Sequence, residues 1–167
     1  LCLACDQGCR DDKRYKAIRC MQNPFLGREA TLHMTEASDE LKAKKVMVIG
    51  AGPAGLEAGV DLVRRGMMPV IIDNKPVPGG VMDIASAPPH RENLNRITDY
   101  RVAFLAQKGV TIRCGETVDA KLLSEEKPDI IMLATGSRPI VPPIKGIDGE
   151  NVFIADDVLR QGIQGIS

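Results

Sequence analysis

Tryptophan is absent, and only three phenylalanines and two tyrosines occur among 167 residues. A chain this poor in aromatics offers no stacking platform for single-stranded nucleic acid, and no aromatic residue marks a substrate pocket. Neither sign of charge is in excess: 22 Lys and Arg face 22 Asp and Glu, for a formal net charge of zero. That leaves no field to gather nucleic acid or an anionic membrane, and neither is an expected partner. His33 and His90 are the only histidines, and neither sits in a ligand constellation. No run approaches the roughly 20 uninterrupted apolar residues of a membrane span. The opening stretch LCLACDQGC is too polar for a signal peptide and lacks a basic n-region. The cytoplasm is therefore the expected compartment, where disulfides rarely persist.

What is present has a clear order. Apolar residues make up 44%, enough for a core. Residues 1–44 form a polar, cysteine-bearing arm that ends in the helix-like stretch TEASDELKAKK. Then KKVMVIG is a continuous apolar run of the buried parallel-strand type. In PAGLEAGVDLVRRG, Leu56, Val60 and Val63 recur at helical spacing, and Gly66 stands where a helix C-terminus belongs. PVIID is a second strand, so the order is β-α-β with a right-handed crossover. A helix is expected over residues 91–107, with Leu94, Ile97, Phe104 and Leu105 buried and Gly109 as its stop. GVTIRC and DIIMLATG supply two further strands, the last almost wholly apolar. The expected fold is an α/β, doubly wound, Rossmann-like parallel sheet. The Pro- and Gly-rich tail after Gly136 reads as a surface excursion.

GAGPAG, Gly50 to Gly55, fits G-x-G-x-x-G between a strand and a helix. Gly50 permits the tight turn, Gly52 admits a pyrophosphate, and Gly55 lets helix and strand pack closely. Pro53 and Ala54 open a helix whose free N–H groups would face the phosphates. An acid is needed at the end of the second strand to bind a ribose hydroxyl, and Asp73, followed by Asn74, stands there. A dinucleotide site is expected. Gly79–Gly80 and the Ala134–Thr135–Gly136 turn are points where chain could pass near the ligand, or simply loops. Arg101 could reach the cofactor phosphates or serve a salt bridge.

Four cysteines remain, Cys2, Cys5, Cys9 and Cys20, three of them within eight positions. Four thiolates can ligate an iron–sulfur cluster or zinc, or stand free, and spacing alone leaves all three open. Cys114 reads as a small strand residue.

Taken together, CLACDQGC…C…NP…GRE, KKVMVIGAGPAG, the acid after the second strand, GG and ATG resemble the C-terminal part of the iron–sulfur NADH:flavin oxidoreductases. That family includes 2,4-dienoyl-CoA reductase, trimethylamine dehydrogenase and enoate reductase, and the likeness covers nearly the whole chain. It implies a [4Fe–4S] cluster on Cys2, Cys5, Cys9 and Cys20. It implies FAD, or ADP in one branch, on Gly50, Gly52, Pro53, Ala54, Gly55, Asp73, Asn74, Gly80, Arg101, Ala134, Thr135 and Gly136. On this resemblance, residues 1–44 are an iron–sulfur arm, 45–150 the first part of an FAD domain, and 151–167 a linker toward an NAD(P)-binding domain. The chain would be an electron-transfer segment without catalytic residues of its own, its FMN barrel and NAD(P)H site lying in missing domains. The alternative is a non-catalytic nucleotide-binding module. Uncovered sheet surface would invite self-association.

Overall fold

The computed structural model describes residues 2–10 and 18–161. Strands β1 (Val46–Ile49), β2 (Val70–Asp73), β3 (Thr111–Cys114) and β4 (Ile130–Leu133) form one parallel sheet in the order β3-β2-β1-β4. The register is continuous, with Val48 opposite Ile71 on one side and opposite Met132 on the other. The chain therefore winds outward from β1 in both directions, as expected of a doubly wound sheet.

Helix α2 (Pro53–Arg64) crosses from β1 to β2. Helix α4 (Arg96–Gln107), entered through a 3₁₀ turn at Glu92–Asn95, leads to β3. Both helices end alike. Gly66 donates to Val63 O and Met67 to Leu62 O; Gly109 donates to Ala106 O and Val110 to Leu105 O. This is the Schellman pattern, and it satisfies carbonyls that the helix end would otherwise leave bare. The apolar residue that follows each glycine, Met67 or Val110, is buried. Beneath the helices, Val48, Leu56, Val60, Ile71 and Leu105 form the main core.

Three helices depart from the sequence pattern. Helix α3 (Met82–Ser86) follows the Gly79–Gly80 turn, and α5 (Ala120–Glu126) is capped by Asp119, which accepts from the Leu122 N–H. Helix α6 (Ala155–Gln161) lies in the tail expected to be irregular, and Arg160 pairs with Asp83 of α3 at 3.0 Å. The helix-like TEASDELKAKK shrinks to one turn, α1 (Asp39–Lys42), capped by Ser38. Leu94 and Phe104 are only half-buried.

Strand β4 also differs. Its apolar run suggests burial, yet Ile131, Met132 and Leu133 are 43%, 37% and 77% exposed. Among the described residues only β1 pairs with it and nothing covers it. Among those residues, too, no helix is long and apolar enough to cross a membrane.

The cysteine arm is not a free appendage. Leu3 is buried against Met82 of α3 and Ile97 of α4, and Cys5 packs beside them. Its burial removes a whole leucine side chain from water, worth about 1.5–3 kcal/mol.

Candidate functional site

Because the strands are parallel, Gly50, Asp73 and Ala134 all emerge at the same edge of the sheet. They do so where the winding reverses, between β1 and β4, and such a crevice is where open α/β sheets take ligands. Gly50 N–H donates to Ile72 O at 2.7 Å and Ala134 N–H to Ile49 O at 2.8 Å, which locks the three strand ends together.

Close approach decides the glycines here. A Cβ on Gly55 would lie 1.8 Å from Gly50 O, and one on Gly50 would lie 2.2 Å from Ala134 O. Only a residue without a side chain lets α2 start this close to β1. Pro53 occupies the first helical position, where its missing N–H costs nothing, and Gly52 offers no side-chain cap. The first turn of α2 is left open to an anion.

Asp73 holds this turn from the side. Its Oδ2 accepts from the Ala51 N–H at 2.6 Å and its Oδ1 from the Lys75 N–H at 2.8 Å. Each oxygen keeps a second lone pair for a ligand hydroxyl. Asn74 is exposed beside it.

The Gly79–Gly80 turn closes over the loop: Gly79 N–H donates to Ala51 O at 2.9 Å, and Lys75 Nζ donates to Gly80 O at 2.8 Å. A Cβ on Gly80 would come within 2.7 Å of Gly52 Cα. Thr135 and Gly136 complete the rim, exposed and uncrowded. Gly50, Gly52, Pro53, Ala54, Gly55, Asp73, Gly80 and Ala134 are thus brought together. Lys75, which no motif marks, ties the lip to the floor.

Among the described residues, none of the Arg101 hydrogen bonds goes to this group. Arg101 is 4% exposed and lies between α2 and α4, where its guanidinium binds Glu57, the Ile97 carbonyl and Gln22. Cys114, opposite Asp73 in the sheet, is half-buried; burial first, and the Asp73 charge second, push its thiol up. It has no marks of a reactive group.

The thiol loop curls through left-handed residues at Ala4, Asp6 and Gly8. Cys2 is exposed, while Cys5, Cys9 and Cys20 are half-buried, and all are free thiols. Arg19 N–H donates to Gly8 O at 3.2 Å, which draws the Cys20 segment alongside the loop. Two sulfurs accept backbone N–H groups, Cys2 from Ala4 and Cys20 from Gln22, each at 3.3 Å. Among the described residues no three His, Cys, Asp or Glu side chains are gathered as a site for a metal ion.

Residues 44–162 match the family described as pyridine nucleotide-disulphide oxidoreductase. The chain belongs to this family, and its sheet is of the FAD/NAD-binding type. It is 38% identical over 162 residues to an NADH oxidase of Thermoanaerobacter brockii, covering 95% of this chain and 25% of that one. It is 34% identical to a bilirubin reductase of Mediterraneibacter gnavus, over 95% of this chain and 24% of that protein. Among solved structures, a 2-naphthoyl-CoA reductase complexed with 2-naphthoyl-CoA superposes with a TM-score of 0.85 at 32% identity. That match covers 96% of this chain and 24% of the reductase. The chain thus spans about a quarter of the length of these relatives.

Proposed function

We propose that this chain is the dinucleotide-binding and electron-relay segment of an NAD(P)H-dependent flavin oxidoreductase. The observation that carries the reading is the pre-built crevice, in which Asp73 is bonded to the glycine loop and Gly80 lies against Gly52. Gly50–Gly55 would hold the pyrophosphate on the first turn of α2, and Asp73 would accept from the ribose hydroxyls. The Ala134–Gly136 turn would border the flavin end. FAD, when bound, supplies hydride acceptance and single-electron release; the chain's own work is to bind, orient and shield it.

The arm is proposed to hold a [4Fe–4S] cluster on Cys2, Cys5, Cys9 and Cys20. The donor set suits it: four free thiols and two sulfurs already accepting N–H bonds, the kind of contact that tunes such clusters. For the whole protein we propose reduction of an activated C=C bond at an FMN site outside this segment. The resemblance seen in the sequence and the reductase names among the relatives support that reading.

Calorimetry tests the crevice. Asp73→Ala should weaken FAD or ADP binding by about 1.5–3 kcal/mol, the range for hydrogen bonds to a charged group; unchanged affinity would remove the assignment. One observation favours a structural nucleotide as a second reading. The built contacts lie at the adenosine and phosphate end, whereas Thr135 and Gly136 are bare. An FAD affinity within tenfold of that for ADP, a gap under about 1.4 kcal/mol, would favour it.

A further inference from the structure

Arg101 leaves the middle of α4 as a nearly fully buried cation. A guanidinium so placed needs a counter-charge and an acceptor for each N–H it turns inward. Glu57 of α2 supplies the charge at Nε, and the Ile97 carbonyl takes a bond from Nη1. The other donors reach out of the dinucleotide fold. Nη1 donates to Gln22 Oε1 at 3.2 Å, and Nη2 to the main-chain oxygen of Gln22 at 3.4 Å. Gln22 in turn gives its own N–H to the Cys20 sulfur at 3.3 Å. The result is one connected path: Glu57, Arg101, Gln22, Cys20.

Little else holds that part of the arm. Gln22, Asn23 and Pro24 border, with Val60, Arg64 and Tyr100, a cavity of about 290 Å³. Among the described residues, the hydrogen bonds from residues 20–25 to the dinucleotide fold all come from Arg101. The same guanidinium grips the carbonyl of Ile97, whose side chain lies under Leu3 of the thiol loop. The two parts of the arm thus meet α4 one turn apart, Leu3 at Ile97 and Gln22 at Arg101.

We propose that Arg101 is the positioning residue for the fourth thiolate. By holding Gln22 through both side chain and main chain, it fixes the Cys20–Pro24 segment where the Cys20 sulfur can share a cluster with the Cys2–Cys9 loop. This rests on the reading of the arm as an iron–sulfur site.

The test uses the purified protein reconstituted anaerobically with iron and sulfide, as wild type, Arg101→Met, Arg101→Lys and Gln22→Ala. Four quantities are read: iron per chain, the electron paramagnetic resonance of the dithionite-reduced state, amide exchange over residues 20–24, and ADP affinity. Arg101→Met should lose at least half of the iron, alter the resonance of what remains and speed exchange by tenfold or more, with ADP affinity within twofold. Gln22→Ala, a loop change that leaves the core intact, should reproduce the loss in smaller measure. Adding it to Arg101→Met should make nothing worse, since both cut one link. Arg101→Lys should recover part of the iron.

Wild-type iron and exchange in both Arg101→Met and Gln22→Ala would overturn the proposal. So would a more than tenfold loss of ADP affinity with iron unchanged, which would put Arg101 at the dinucleotide phosphates. If the wild-type protein takes up no iron while Arg101 still governs exchange over residues 20–24, the cluster reading itself fails. Arg101 is then only a clamp, and the proposal falls with that reading.

Discussion

At the scale of single residues, two glycines on the rim of the same crevice have opposite tolerances. Gly55 has no room, since its Cβ would sit 1.8 Å from a backbone oxygen. Gly136 has open space around it and only a φ of +73° to object to a side chain. Gly55→Ala should therefore destabilise the fold by about 1–3 kcal/mol, the usual cost of overpacking, and abolish nucleotide binding by displacing α2. Gly136→Ala should cost only the left-handed strain, about 1–2 kcal/mol, and leave ADP affinity unchanged. Chemical denaturation and calorimetry on the two variants check this; equal loss of ADP binding in both would refute the distinction. The motif glycines and Asp73 are legible in the sequence because their roles follow from backbone geometry at fixed offsets. Lys75, Glu57 and Gln22 are not. Each earns its place from a partner that only the folded chain delivers, and for Gln22 that partner is 79 positions away.

At the scale of elements, the pieces written locally are the ones the sequence shows. The β1–α2–β2 unit has a run, a stripe and a glycine stop, and α4 has the same stop at Gly109. Helices α3, α5 and α6 have five to seven residues, too few to show a period, and contacts such as Arg160–Asp83 help to place them. Strand β4 reads as buried because an apolar run cannot announce which neighbours will cover it. The end of α5 carries a small ionic network. Glu126 is bound by Lys45 at 2.7 Å and by Arg113 at 2.5 Å, so the start of β1, the end of β3 and α5 are tied together. The Lys45 hydrogen bond, then the Arg113 one, lower the Glu126 carboxyl from 4.5 to about 2. An acid held below its unfolded value adds stability that is fully present above the unfolded value and disappears as pH falls through the folded one. The melting temperature of the wild type should exceed that of Glu126→Gln at pH 6, and the gap should close between pH 5 and pH 2. A gap constant across that window would show that the carboxylate contributes nothing through its charge.

At the scale of the whole molecule, the exposed strand β4 is the surface that needs managing. Among the described residues no strand pairs with its outer edge, and Ile131, Met132 and Leu133 are exposed there. Edges of this kind pair with copies of themselves, and apolar patches add to the drive. We expect this chain to self-associate through β4, and Ile131→Lys with Leu133→Lys, two charges on one face, to return it to a monomer in sedimentation. A wild-type monomer at every concentration would refute this. Elsewhere the parts are already joined. The Gly79–Gly80 turn lies against Gly52, and Met82, two residues on, carries Leu3 of the thiol loop. Nucleotide crevice and sulfur loop thus rest on opposite ends of the same few residues. In heritable terms the short stretch has two constituencies: Gly80 must suit Gly52, and Met82 must suit Leu3 and Ile97. Natural variants at Met82 should therefore change in company with Leu3 or Ile97.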